Sequence, residues 1–112
     1  MKTYDDELRV GHILRAARRI VEYSGGMTRG EFDADLKTQD ASIRQLEIIG
    51  EAAKNVSPGF RAKYPQIPWR GMAGMRDMLI HQYEEADFDI VWKTITESIP
   101  EILAHLEGIS SD

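Results

Sequence analysis

Hydrophobic residues recur along this chain with the spacing of α-helices almost throughout. Apolar side chains return every three or four positions, which places them on one face of a helix. No segment alternates apolar and polar residues four or more times between turn residues, which is the pattern of a half-buried strand. The sequence therefore predicts an all-α protein.

The first predicted helix runs from about Asp5 to Tyr23, and acidic residues at positions 5–7 suit the positive end of its dipole. Its apolar stripe comprises Leu8, Ile13 (or His12), Ala16, Ile20 and Tyr23. Thr28 and Glu31 have the spacing of a capping box. That box predicts a short helical turn through Phe32.

Similar stripes and end signals predict the remaining helices. They cover about Leu36–Asn55, Pro58–Lys63, Trp69–His81, Phe88–Ser98 and a last helix that opens at Pro100. Ser57 and Asp87 are expected to cap two of them. We expect one domain over residues 1–112, an antiparallel bundle of four main helices plus short extra ones, because the connections are short.

Composition narrows the class of protein without naming a function. The chain has 112 residues, 42% of them apolar and 29% charged, which is ordinary for a globular domain and too apolar for a disordered one. The absence of cysteine excludes a disulfide framework and a thiolate zinc site. The polar N-terminus does not resemble a signal peptide, and no apolar run is long enough to span a bilayer, so we expect a cytoplasmic protein.

Charge is distributed unevenly along the chain. Residues 1–76 hold 13 basic and 10 acidic side chains, whereas residues 77–112 hold nine acidic ones and only Lys93. The net charge of −5 argues mildly against a nucleic-acid partner, because phosphate binding needs a positive surface. The first three quarters of the chain can still supply a basic patch.

Of three histidines, His81 has the neighbours that chemistry needs, whereas His12 and His105 lie inside amphipathic patterns and favour structural roles. Asp77 is four positions before His81, so the carboxylate can orient the imidazole on one helix face. Arg76 is five positions before His81, about 140° around a helix. Those two meet only if Arg76 reaches around, the helix ends near His81, or a second subunit supplies one of them.

Arginine, histidine and a nearby phenol are the groups that phosphodiester chemistry without a metal needs. Histidine exchanges protons near neutral pH, and arginine holds a phosphate as charge builds in the transition state. The alternative is an ordinary helix C-terminus, where His81 suits the dipole and Tyr83 packs as a half-buried aromatic. Spacing alone favours that structural alternative.

Longer motifs favour the chemical interpretation. Arg76-x4-His81-x-Tyr83 resembles the signature of the HepT-like toxins, small helical-bundle ribonucleases of the HEPN superfamily. Residues 46–53 (LEIIGEAA) resemble the family's second long helix, and residues 64–70 (YPQIPWR) resemble the segment before its catalytic helix. Asp87-x4-Trp92 resembles the helix after it. The resemblance covers nearly the whole chain in the correct order.

This resemblance implies a metal-independent endoribonuclease without a cofactor, acting as a homodimer whose two motifs face each other across a cleft. It implies that His81 is the general acid or base, that Arg76 holds the scissile phosphate of RNA and that Asp77 orients one of them. It also implies a toxin–antitoxin system of the type VII kind, in which an MntA-type nucleotidyltransferase transfers AMP to Tyr83. The alternatives are that Tyr83 only shapes the cleft, and that the chain is a non-catalytic HEPN module docked on such an enzyme.

Further candidates are weaker. A basic stripe on the first helix and two cations on the second are RNA-binding candidates, namely Arg15, Arg18, Arg19, Arg44 and Lys54. A solvated helix face explains the stripe equally well. Glu47 and Glu51 lie one helical turn apart and form a conceivable metal site, although a structural role is the simpler interpretation.

Overall fold

A computed structural model describes residues 5–81 and 87–110 of the chain. These residues form seven α-helices and one π-helical turn, and contain no β-strand, so the predicted all-α class is confirmed. The helices are α1 (Asp6–Ser24), α2 (Arg29–Asp33), α3 (Leu36–Lys54), α4 (Pro58–Lys63), α5 (Trp69–His81), α6 (Phe88–Lys93) and α7 (Ile99–Ser110). None of these helices is long and apolar enough to cross a membrane.

Helix α3 is the centre of the packing, because its most extensive contacts are with both α1 and α5. Helices α1 and α3 run in opposite directions. Arg9, early in α1, shares a cavity with Glu51, late in α3, whereas Arg19 shares one with Gln45. The buried core is contributed by every helix except α4, and Ile13, Ile49 and Leu106 are representative of its fully buried side chains.

Side-chain caps are found at the N-terminal ends of helices where the sequence predicted caps. Thr28 Oγ1 accepts the Glu31 N–H at 3.1 Å while Glu31 Oε1 accepts the Thr28 N–H at 2.9 Å, which confirms the capping box. Ser57 caps α4, and Asp87 caps α6. Asp35 caps α3, and hydrogen bonds from Thr38 lower the pKa of its carboxyl group.

The buried face of α1 differs from the predicted stripe at both ends. Leu8 is 49% exposed and Tyr23 is 36% exposed, so including them was wrong. The buried side chains of this helix are Val10, Ile13, Leu14, Ala16, Ala17, Ile20 and Ser24. Because α1 packs against both α3 and α7, its buried arc is set by two neighbours. Leu8 lies about 140° around the helix from Ile13, outside that arc.

The last two predicted helices are one continuous helical segment. A π-helical turn over Thr94–Ser98 joins α6 directly to α7, and the Ile99 N–H donates to the Thr94 carbonyl five residues earlier. Pro100 has no N–H to donate to the preceding turn. The wider turn lies directly before this proline, so the chain continues without the break that the sequence predicted.

Two aromatic contacts attach the short helix α2 to α6. The Phe32 ring is fully buried, with its centroid 5.1 Å from that of Trp92 and 6.4 Å from that of Phe88. Arg29 adds an ion pair at 2.7 Å to Asp89. Gln39 Nε2 donates to the Phe32 carbonyl at 2.8 Å, which fixes α2 against α3 as well.

The connection before α5 is held by one polar contact to a distant residue of the chain and by two local hydrogen bonds. Ser57 donates through its N–H and Oγ to the carboxylate of Asp6, at 2.8 and 2.7 Å. Trp69 Nε1 donates to the Tyr64 carbonyl at 3.0 Å, and its N–H donates to the Ile67 carbonyl at 2.8 Å. These bonds fix the residue at which α5 begins.

Candidate active site and basic groove

Helix α5 is anchored by its first turn. Trp69 and Met72 are buried, and the Trp69 ring packs edge-on against Phe60 with centroids 5.9 Å apart. The helix extends through His81, as the sequence predicted. It therefore carries the candidate residues Arg76, Asp77 and His81 on one continuous helix.

The structure describes the backbone positions of Arg76, Asp77 and His81. Asp77 is exposed. The side chains of Arg76 and His81 lie outside the described part of the structure, and Tyr83 lies outside the described residues altogether. Helical geometry puts the Cα atoms of Asp77 and His81 about 40° apart around α5, hence on one face, and those of Arg76 and His81 about 140° apart.

A groove between α1 and α3 contains most of the other candidates. One cavity of about 350 Å³ is lined by Arg9, His12, Arg44, Glu47, Ile48, Glu51 and Ala52. A second cavity of about 210 Å³ is lined by His12, Arg15, Ala16, Arg19, Gln45 and Ile48. Because His12 and Ile48 line both, the two cavities adjoin, and together they make up the groove.

Charge differs between the two halves of this groove. In the larger cavity the carboxylates of Glu47 and Glu51 oppose two arginines, and Arg44 forms an ion pair with Glu47 at 3.6 Å. The smaller cavity is lined by no carboxylate, and among the described residues neither Arg15 nor Arg19 forms an ion pair. The smaller cavity is therefore the more positive half.

Two predicted cations lie away from the groove. Arg18 points to α7, where its Nε is 3.5 Å from a carboxylate oxygen of Glu107. Lys54 is exposed at the end of α3 and lines neither cavity.

His105 lies 4.0 Å from Glu101 along α7. Within residues 5–81 and 87–110, no group of three or more histidine, aspartate or glutamate side chains is arranged to hold a metal ion.

Comparison with known protein families identifies the family to which this chain belongs. A family model described as Ribonuclease HepT-like matches residues 13–109. The chain belongs to the HepT-like ribonuclease family. The matched segment includes α5, the residues of the Arg76-x4-His81-x-Tyr83 motif and both walls of the groove from Ile13 onward.

Relatives agree with this membership in the HepT-like family. The chain is 46% identical over 97 residues to a protein of Thermococcus cleftensis named "Probable ribonuclease HepT", covering 87% of this chain and 88% of that one. Two proteins that both carry the name "Putative RNase" are similar. One, from Methanocaldococcus jannaschii, is 44% identical, covering 89% of this chain and 83% of that one. The other, from Caldanaerobacter subterraneus subsp. tengcongensis, is 43% identical, covering 88% of each. No solved structure matches the chain significantly.

Sequence reasoning missed three residues of the groove in this HepT-like chain. Arg9, His12 and Gln45 line it, although the sequence assigned no binding role to any of them. A signal existed on α1, because positions 9, 12, 15 and 19 are spaced along one helical face. The contribution of Gln45 depends on how α3 packs against α1, which spacing within one helix does not reveal.

Proposed function

We propose that this protein is a metal-independent endoribonuclease toxin that cleaves RNA in a cleft between two copies of the chain. The observation that carries the proposal is the match to the HepT-like ribonuclease family over residues 13–109. Within that segment, the residues that resemble the family's signature are Arg76, His81 and Tyr83. Helix α5 extends through His81 and therefore carries Arg76 and His81 on one element.

The chemistry follows from the residue types. A ribose 2′-oxygen attacks the adjacent phosphorus and the bond to the 5′-oxygen breaks, which yields a 2′,3′-cyclic phosphate and a free 5′-hydroxyl. His81 takes the 2′-OH proton or gives a proton to the departing 5′-oxygen, because an imidazole group exchanges protons near neutral pH. Arg76 holds the phosphate oxygens as negative charge builds, and Asp77 orients His81.

A homodimer overcomes the angle between the two principal residues. Because α5 is helical through His81, the Cα atom of Arg76 lies about 140° around the helix from that of His81 within one chain. Two copies of α5 that face each other bring an arginine from one chain beside a histidine from the other. Two histidines at one cleft also allow one to act as base and the other as acid.

Regulation is proposed to act on Tyr83 in a type VII-like toxin–antitoxin pair. A partner nucleotidyltransferase of the MntA type transfers AMP from ATP to the Tyr83 oxygen and releases pyrophosphate. The added phosphate carries negative charge two residues from His81. It repels the phosphates of RNA and occupies the site that Arg76 offers to the substrate.

The first test measures cleavage of total RNA by unmodified protein in excess EDTA, with Tyr83 checked by intact mass. We expect cleavage that leaves 2′,3′-cyclic phosphate ends. Cleavage that appears only after Mg²⁺ is added would contradict the metal-independent mechanism. No cleavage under either condition would favour the non-catalytic HEPN module that binds a nucleotidyltransferase.

A second prediction concerns the modified residue. Incubation with an MntA-type nucleotidyltransferase and ATP is expected to add AMP to wild type and to stop its RNA cleavage. Tyr83→Phe should gain no AMP by mass spectrometry and should keep cleaving under the same conditions. Tyr23→Phe is the matched control, because Tyr23 lies at the end of α1, and it should be modified like wild type. AMP on Tyr83→Phe would refute the assignment.

A further inference from the structure

The smaller half of the α1–α3 groove has the chemistry of a ribose-phosphate site. Arg15 and Arg19 are one helical turn apart on α1, and His12 is one turn before Arg15. All three line the cavity of about 210 Å³, and no carboxylate of residues 5–81 and 87–110 is among its lining side chains. The two arginine side chains on this wall repel each other, and a bound anion relieves that repulsion.

The opposite wall provides a polar group that lacks a partner. Gln45 lines the same cavity with only 7% of its surface exposed, and its Oε1 has no hydrogen-bond partner among the described residues. A buried acceptor without a donor is costly, and few proteins retain one without a reason. The Oε1 atom is itself enclosed by the wall, so a ligand hydroxyl would supply the missing donor once the side-chain amide turns toward the cavity.

Cations on one wall and a hydrogen-bond acceptor on the other match the backbone of RNA. Phosphate oxygens accept from arginine, and the ribose 2′-OH is the donor that distinguishes RNA from DNA. We propose that this cavity binds the ribose-phosphate backbone of single-stranded RNA, with phosphates on Arg15 and Arg19 and a 2′-OH on Gln45. This inference rests on the proposed ribonuclease function and adds a binding site outside the α5 motif.

The cavity lies close enough to α5 to hold part of an RNA substrate. Helix α3 forms one wall of the groove and packs on α5, which carries the catalytic candidates. Packed helices lie about 8–10 Å apart, so a strand in the groove is separated from α5 by one helix. A strand held there adds affinity without contacting the scissile bond.

The test compares arginine-to-glutamine variants in a His81→Ala background, which prevents cleavage during binding. Fluorescence anisotropy with a labelled single-stranded RNA at 0.1 M salt measures affinity. Each phosphate contact on a single strand contributes a salt slope of about 0.7, or about fivefold in affinity at 0.1 M salt. We therefore expect Arg15→Gln and Arg19→Gln each to weaken binding about fivefold, and the double variant about 25-fold.

Arg18→Gln is the matched control. It removes the same charge from the same helix, but Arg18 faces Glu107 rather than the groove. We expect it to bind RNA within about twofold of the parent, since its contact is a surface ion pair. Equal losses in all three single variants would mean that only net charge matters, and would overturn the site.

A second arm tests the 2′-OH contact. Gln45→Leu removes the unpartnered polar atom and keeps similar volume, so the fold is expected to survive. We expect it to reduce the preference for RNA over DNA of the same sequence while leaving DNA binding unchanged. An unchanged preference would remove Gln45 from the proposal.

The outcomes separate this inference from the proposed function. If wild type cleaves RNA and the Arg15 and Arg19 variants bind RNA as well as Arg18→Gln does, the proposed RNA site in the groove is rejected. The proposed nuclease activity would then still stand. If the Arg15 and Arg19 variants bind RNA more weakly but wild type never cleaves RNA, the proposed nuclease activity is rejected. The proposed RNA site in the groove would then still stand.

Discussion

Replacing His81 with alanine is expected to abolish RNA cleavage while the protein stays folded. A positioned acid or base contributes roughly 10²–10⁴-fold to such reactions, and alanine can neither take nor give the proton. Because alanine is the strongest helix former, the substitution favours the helix that ends at His81. The measurement is the initial rate of RNA cleavage in EDTA, with circular dichroism to check helix content.

His105→Ala is the matched control for this experiment. His105 lies on α7 beside Glu101, so it shares the residue type without the position. Its cleavage rate should stay within about twofold of wild type, as expected for a surface substitution. If both alanine variants cleave RNA at the wild-type rate, His81 has no role in the chemistry.

Replacing Phe32 with alanine is expected to lower the free energy of unfolding by about 3–5 kcal/mol, the usual cost of removing a buried phenyl ring. Phe32 is 0% exposed, and its ring contacts Trp92 and Phe88. The cavity left behind loosens α2 from α6, because those ring contacts join the two helices. Urea denaturation followed by circular dichroism measures the change.

Leu36→Ala serves as the comparison for Phe32→Ala. Leu36 is 72% exposed at the start of α3, four positions after Phe32, so its truncation leaves no buried cavity. Its free energy of unfolding should stay within about 0.5 kcal/mol of wild type. A loss of under 1 kcal/mol in Phe32→Ala would show that the ring contributes little to stability.

Local signals made most helix boundaries predictable. The caps by Thr28 and Ser57 depend on side chains within three residues of the amides they bind, so the sequence contains all the information. The all-α class was predictable for the same reason. The unbroken connection around Pro100 was not, because a π-helical turn can satisfy the backbone in place of the break that a proline predicts.

Features that depend on packing between distant segments were harder to predict. The exposure of Leu8 follows from where α3 and α7 contact α1, which no pattern within α1 specifies. The neighbours of the basic side chains on α1 also depend on packing. Arg18 contacts Glu107 on α7, whereas Arg15 and Arg19 line the cavity against α3. The candidate motif was visible in the sequence, but in the proposed cleft its geometry depends on a second copy that one chain cannot specify.

The contact between Asp6 and Ser57 has a consequence for synthesis on the ribosome. It closes a loop that contains α1, α2 and α3, whereas α5 begins only at Trp69. Chains emerge from the amino end, and segments can fold as they appear. Both walls of the groove are therefore translated before the motif helix leaves the exit tunnel. A nascent chain would complete the proposed RNA-binding groove before it completes the helix proposed to carry catalysis.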